Sequence, residues 1–243
     1  NKQMKIEIQE IKLHEAASQG TDAFLTLIHD TFMDALLWLD QHSLKAARIQ
    51  PLINIDYFEH FGNARELSRI LDVFDFFKQG TAKMIKKDKV AGTLLEPIIR
   101  EYGTDKNAKG VELKSFTVVD PVGLLRACET YIRSLHLSDL PIRTKMANQL
   151  DVLGYVELTT NREEDRRKLL ITDLVPLMEK GTKQPWAYAV FTKSIGSGKT
   201  SRLTLRAKTY EQKPFKKQDI IYANTVTKEN SGYWYLYDYQ IVV

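Results

Sequence analysis

The chain has 243 residues, 43% of them hydrophobic, enough for one large or two ordinary domains with real cores. Its single Cys128 excludes an internal disulfide framework and any multi-thiolate metal site, which fits a reducing, cytoplasmic setting. The net charge of +4 hides a division: residues 162–238 carry 15 basic and 9 acidic side chains, or +6, leaving the remainder near −2.

The chain opens at Asn1 rather than Met, as a fragment or processed product would, and lacks the charged, apolar and small-residue regions of a signal peptide. No apolar run reaches the roughly 18 residues needed to span a bilayer, so no membrane partner is expected. Residues 22–39 place Leu25, Ile28, Phe32, Leu36 and Leu39 on one stripe, widened by Phe24, Leu27, Met33 and Leu37, which predicts a nearly buried helix. A shorter helix is predicted over 44–53. The period then breaks until Asn63, a good N-cap, starts a helix over 64–77 in which Leu67, Ile70, Leu71, Phe74 and Phe77 share a face; Gly80 marks the stop.

Lys83, Lys86, Lys87 and Lys89 form a basic patch, and residues 102–114, polar with Gly103 and Gly110, read as loop. Helices return over 122–135, with Leu124, Leu125, Cys128, Ile132 and Leu135 aligned, and over 142–153, ended by Gly154. From Arg166 the period becomes that of strands, predicted over 168–178, 186–193, 201–207, 219–225 and 232–243, with turns at Gly181, Gly196/Gly198 and Asn230-Ser231-Gly232. Residues 208–218 suit a short helix or a loop. Five short strands interrupted between the third and fourth match the OB barrel, whose strand face commonly binds oligonucleotides.

Between Lys180 and Lys217 ten Lys or Arg face one acid, Glu211. Cations track a polyanion and rings stack on unpaired bases, so the basic set Lys193, Lys199, Arg202, Arg206 and Lys208 points to single-strand binding. In residues 201–207 the pattern sets Arg202, Thr204 and Arg206 on one face against Leu203 and Leu205. Residues 233–239 put Tyr233, Tyr235, Tyr237 and Tyr239 on one face of a strand and Trp234 with Leu236 on the other; the rings either close a small barrel or leave a stacking platform. Gly196-Ser197-Gly198-Lys199-Thr200 ends like a phosphate-binding loop, but Lys193 stands where the first glycine belongs and a strand follows where a helix is needed. It reads as a hairpin tip, a mobile basic loop within reach of a backbone. His14, His29, His42, His60 and His136 lack one-turn spacing for a metal, and Cys128 on an apolar stripe reads as an inert thiol. No catalytic constellation and no cofactor site is expected.

Gln50-Pro51-Leu52-Ile53-Asn54-Ile55-Asp56-Tyr57-Phe58-Glu59-His60-Phe61-Gly62-Asn63-Ala64-Arg65-Glu66-Leu67, with Ala23 to Ile28 before it, resembles the helix-hairpin-helix region of the family C DNA polymerases, the bacterial and phage polymerase III alpha subunits. Gln149-Leu150-Asp151-Val152-Leu153-Gly154-Tyr155 is similar to that family's lead into its OB domain. The resemblance implies an α+β multidomain chain: an all-α, helix-hairpin-helix-like domain over 1–80, a helical connecting region over 81–160, and a five-stranded OB-fold nucleic-acid-binding domain over 161–243. It implies a DNA-binding segment of a replicative nucleotidyltransferase without the palm aspartates, hence no catalytic residues or cofactor of its own. Lys83, Lys86 and Lys87 would grip duplex DNA; Lys193, Lys199, Arg202 and Arg206 would hold single-stranded template, with Tyr188 or Tyr222 stacking. Gln149 to Leu153 is a loose match to the family's clamp-binding peptide, so a sliding clamp or other replisome subunit is an implied partner. The rival readings are an OB module that docks another replisome protein, and a separate single-stranded DNA-binding accessory protein.

Overall fold

A computed structural model describes residues 29–42, 44–77 and 83–242, and the chain divides into two compact units, Asn1–Leu140 and Pro141–Val243. Among the described residues of the first unit, α1 (Phe32–Gln41) buries Phe32, Met33, Ala35, Leu36 and Leu39. Sequence periodicity carries this helix back to residue 22, but residues 22–28 lie outside the described part and the helix starts at Phe32. Thr31 is extended there, and its hydroxyl accepts from the Asp34 amide at 3.1 Å, so a cap replaces a further turn. The next helix, α2 (Ala46–Asn54), carries Pro51 and is followed by a 3-10 turn, Glu59–Phe61. Asn63 then caps α3 (Ala64–Phe76), accepting from Arg65 and Glu66 amides, as its position in the sequence predicts. The expected stop at Gly80 lies outside the described residues.

The stretch read as a loop folds instead. Strands β1 (Met84–Lys86), β2 (Gly103–Lys106) and β3 (Glu112–Val118) form an antiparallel sheet in the order β1-β3-β2, with α4 (Lys87–Val90) and α5 (Glu96–Tyr102) between the first two. Only Ile85, Phe116 and Val118 of these strands are buried, so the apolar alternation is too sparse to stand out among Lys and Glu. α6 (Pro121–Ser134), opened by Asp120, contributes Leu124, Leu125, Cys128 and Ile132 to the core shared with α1, α3 and the sheet.

Glu129 on α6 is 3% exposed and ties that core together. Its carboxylate accepts from the Phe32 amide at 3.2 Å, from Met33 at 2.8 Å and from the Arg133 guanidinium at 2.6 Å. It thus caps α1 from a residue 97 positions away, satisfying donors that a helix start leaves orphaned.

The second unit starts with α7 (Ile142–Leu153), ended by Gly154 at φ 77°, a left-handed position that suits glycine. The sequence reading assigned this helix to a separate connecting region ending at residue 160. Its Met146 and Leu150 instead cluster with Val156, Leu170, Ile195 and Ile220 of the barrel unit. The barrel comprises β4 (Lys168–Met178), β5 (Pro185–Ser194), β6 (Thr200–Arg206), β7 (Ile220–Lys228) and β8 (Trp234–Val242), closed in the order β4-β5-β6-β8-β7, with α8 (Ala207–Gln212) between β6 and β7. All pairings are antiparallel except β6 with β8, which meet in parallel at a single register pair, Thr204 with Tyr235. This is an OB-like closed barrel, placed where five strands were expected. Ile171, Val190, Leu203, Leu205, Ile221, Leu236 and Tyr239 fill it.

Candidate nucleic-acid interface

Register decides what the barrel shows to solvent. Residues directly opposite on antiparallel strands share a face, and β5 pairs Phe191 with Arg202, Ala189 with Thr204 and Ala187 with Arg206. Leu203 and Leu205 point inward, so Arg202 and Arg206 point out, as their alternation implies. Thr204, expected beside them, is only 7% exposed, and its register partner Ala189 and the neighbouring Ala187 are buried as well. Phe191, 36% exposed, lies under the Arg202 guanidinium, whose carbon is 5.9 Å from the ring centre. Arg206 stands over Tyr235 of β8 at the same 5.9 Å. Beyond Tyr235, Tyr237 follows with ring centres 6.2 Å apart. The outer face therefore carries two cation-and-ring pairs with a third ring beside them.

The tyrosines of β8 do not share one face. Register shifts around Asn224 and Tyr237 add a residue, so Tyr237 and Asp238 both face out and parity inverts. Tyr239 is 1% exposed and its hydroxyl donates to the Lys213 carbonyl at 2.6 Å. Burial pushes its phenol up to about 12. One end of the barrel is packed by Tyr188, Tyr210, Phe215 and Tyr239 in successive ring contacts of 4.3, 5.4 and 5.1 Å.

That chain of rings bears on one stacking assignment: Tyr188 has inward parity opposite Leu205 and packs, partly buried, against the barrel core. Tyr222 is half-buried on β7, in register with Lys168 and Gln240, on a strand adjacent to neither β5 nor β6. Neither belongs to the face. The rings that do are Tyr235 and Tyr237, two of the four on the candidate stacking platform of β8, and Phe191, which carries no sequence-based expectation although it shares parity with Lys193 and sits two residues from it.

Lys193 needs correction too. Its parity is outward, but residues 156–160 cover that end of the face, the Thr160 amide donating to the Ile195 carbonyl at 2.9 Å. The ammonium is buried, 7% exposed, and donates to the Val156 carbonyl; burial pushes its pKa down, against a smaller pull from Glu157. Lys193→Met is expected to leave oligonucleotide affinity within about twofold and to raise unfolding free energy by about 1 kcal/mol at neutral pH. The gain should shrink in denaturant titrations as pH rises through the depressed pKa, where the folded wild-type chain sheds the proton that its unfolded form still holds.

Lys199 is exposed on the β5–β6 turn and Lys208 at the start of α8, two residues past Arg206. The turn is the expected hairpin tip, with Gly198 at φ 70°. Its base is packed against the segment before β4: the Gly196 amide donates to the Asp165 carbonyl at 3.1 Å, and a Cβ on Gly196 would lie 2.3 Å from the Arg162 carbonyl. In the first unit Lys83 and Lys86 are exposed, whereas Lys87 bridges Asp105 at 2.9 Å and Glu112 at 2.6 Å. Those hydrogen bonds raise its pKa, so the ammonium stays charged but is already paired with two carboxylates, and it is no free phosphate contact.

Glu229, in the β7–β8 turn, was also unforeseen. Its carboxylate lies 3.6 Å from the Arg206 guanidinium and accepts from the Tyr237 hydroxyl, which raises the phenol pKa. Cys128, buried in the other unit, has its thiol pushed up to about 12 by desolvation. Among the described residues no group of His, Cys, Asp and Glu is placed to hold a metal ion, and no helix is long and apolar enough to cross a membrane.

No family model, curated protein or solved structure matches the chain.

Proposed function

We propose that the barrel holds single-stranded nucleic acid across the outer face of β5, β6 and β8. The observation that carries this reading is the pairing of Arg202 with Phe191 and Arg206 with Tyr235 on one exposed surface. A guanidinium contacts phosphate while the adjacent ring offers a π-face to any base, which yields affinity with little sequence preference. Exposed Lys199 and Lys208 extend the positive surface, and Lys180 and Lys183 are exposed on the turn joining β4 to β5. The same strand face and adjoining loops serve oligonucleotide binding in OB barrels generally.

Within this reading the chain is the DNA-binding segment of a polymerase III alpha subunit, its first unit a helix-hairpin-helix-like grip on duplex DNA. The order of helical unit, Leu153-Gly154-Tyr155 link and OB-like barrel supports that assignment, as does the capped turn from α2 into α3.

Fluorescence anisotropy of a labelled oligonucleotide, titrated with the full chain over a range of salt, tests the binding. Log affinity should fall with log salt at roughly −0.7 per phosphate neutralised. Phe191→Ala and Tyr235→Ala should each cost about 1–3 kcal/mol. A flat salt dependence, or full affinity in both variants, would overturn the assignment.

A further inference from the structure

The turn from Glu229 to Tyr233 is closed at both ends. The Glu229 amide donates to the Tyr233 carbonyl at 3.0 Å, the Gly232 amide donates to the Glu229 carbonyl at 2.8 Å, and Gly232 takes φ 84°. The turn sets the Glu229 side chain, 30% exposed, against two groups that the strand face would offer a polyanion, the Arg206 guanidinium and the Tyr237 hydroxyl. Other acids near the face are engaged differently. Asp238 accepts from Asn224 at 2.9 Å and lies 3.9 Å from Lys213, and Asp173 accepts from the Leu174 amide at 2.9 Å.

A carboxylate on a guanidinium has the charge and acceptor geometry of a phosphodiester oxygen. We infer that Glu229 is a built-in competing anion that occupies the phosphate position at Arg206 and Tyr237 and leaves only when a continuous strand is bound elsewhere on the face. This rests on the single-strand reading above. One anion replaces another at Arg206, so that position alone gives an isolated phosphate or mononucleotide almost no net gain. A strand gains through Arg202, Phe191 and Tyr235 as well, and the exchange goes to completion. Glu229 is in this sense a specificity-determining residue: it selects for chain length over charge.

The test compares the full chain with its Glu229→Gln variant, circular dichroism confirming that both fold, using labelled oligothymidylate across a salt series. Glu229→Gln should bind about three- to fivefold more tightly at low salt, the scale of one exposed ion pair. Its salt slope should steepen by about 0.7, since Arg206 then neutralises a phosphate without losing a partner. Added inorganic phosphate should inhibit the variant more than the wild type. In an Arg206→Ala background the same substitution should bring no gain. Equal or weaker binding by Glu229→Gln, with normal wild-type binding, overturns the inference and leaves the strand face standing. A gain that persists without Arg206 also overturns it, by reducing the effect to net charge. If the wild type shows no salt-dependent binding, the strand-face reading falls and the exchange with it.

Discussion

Replacing Arg202 and Arg206 together by alanine is expected to weaken oligonucleotide binding roughly 30- to 100-fold at low salt, about 2 to 3 kcal/mol for two charge-assisted contacts. The two should not contribute equally. Arg202 has Phe191 beneath it, and its loss should flatten the salt slope by about 0.7. Arg206 is already close to Glu229, so its loss should flatten the slope less. Both side chains are exposed, and their removal should leave stability within about 0.5 kcal/mol. Anisotropy titration of the two single variants and the double one measures each effect. Unchanged affinity in the double variant would move the binding surface off this face, and a lost protein partner in that case would favour docking instead.

Glu129→Ala is expected to be the most destabilising single change considered, at about 3–5 kcal/mol. It would leave the buried Phe32 and Met33 amides without their acceptor and the Arg133 guanidinium without the carboxylate 2.6 Å away. Among the described residues the carboxylate left to Arg133 is that of Glu66, at 3.8 Å. Glu129→Gln retains an acceptor oxygen but not the charge, and should cost about 1–2 kcal/mol. Urea unfolding followed by far-ultraviolet circular dichroism measures both. Equal, small losses would mean that water satisfies the start of α1 as well as the carboxylate does.

The barrel was legible because its strands alternate and its turns carry Gly or Asn-Ser-Gly. Predicted strands over 168–178 and 186–193 correspond to β4 (Lys168–Met178) and β5 (Pro185–Ser194). The sheet of the first unit was not legible, since β1 has three residues and β3 buries Phe116 and Val118 among polar neighbours. Alternation also leaves open which parity faces inward. That is settled by partners: Tyr188 opposite Leu205 goes in, and Phe191 opposite Arg202 goes out. An added residue in β8 sends Tyr239 inward, which no period-two reading anticipates. Lys193 was misplaced for a different reason, because its cover comes from a segment some 35 positions earlier in the chain. Glu129 and Glu229 act through partners distant in sequence or brought near by a turn, and nothing in their local sequence distinguishes them from acids that lie on the surface.

The single parallel pair joining β6 to β8, Thr204 with Tyr235, is the seam that closes the barrel. Arg206 belongs to one side of this seam and Tyr235 with Tyr237 to the other, so a strand lying on both sides would act as a suture across it. Anything that binds the closed barrel but not one with a parted seam draws the equilibrium toward closure by mass action. Occupancy of the face and integrity of the barrel are then one linked property, and the joint with the fewest pairs is the one a ligand would reinforce.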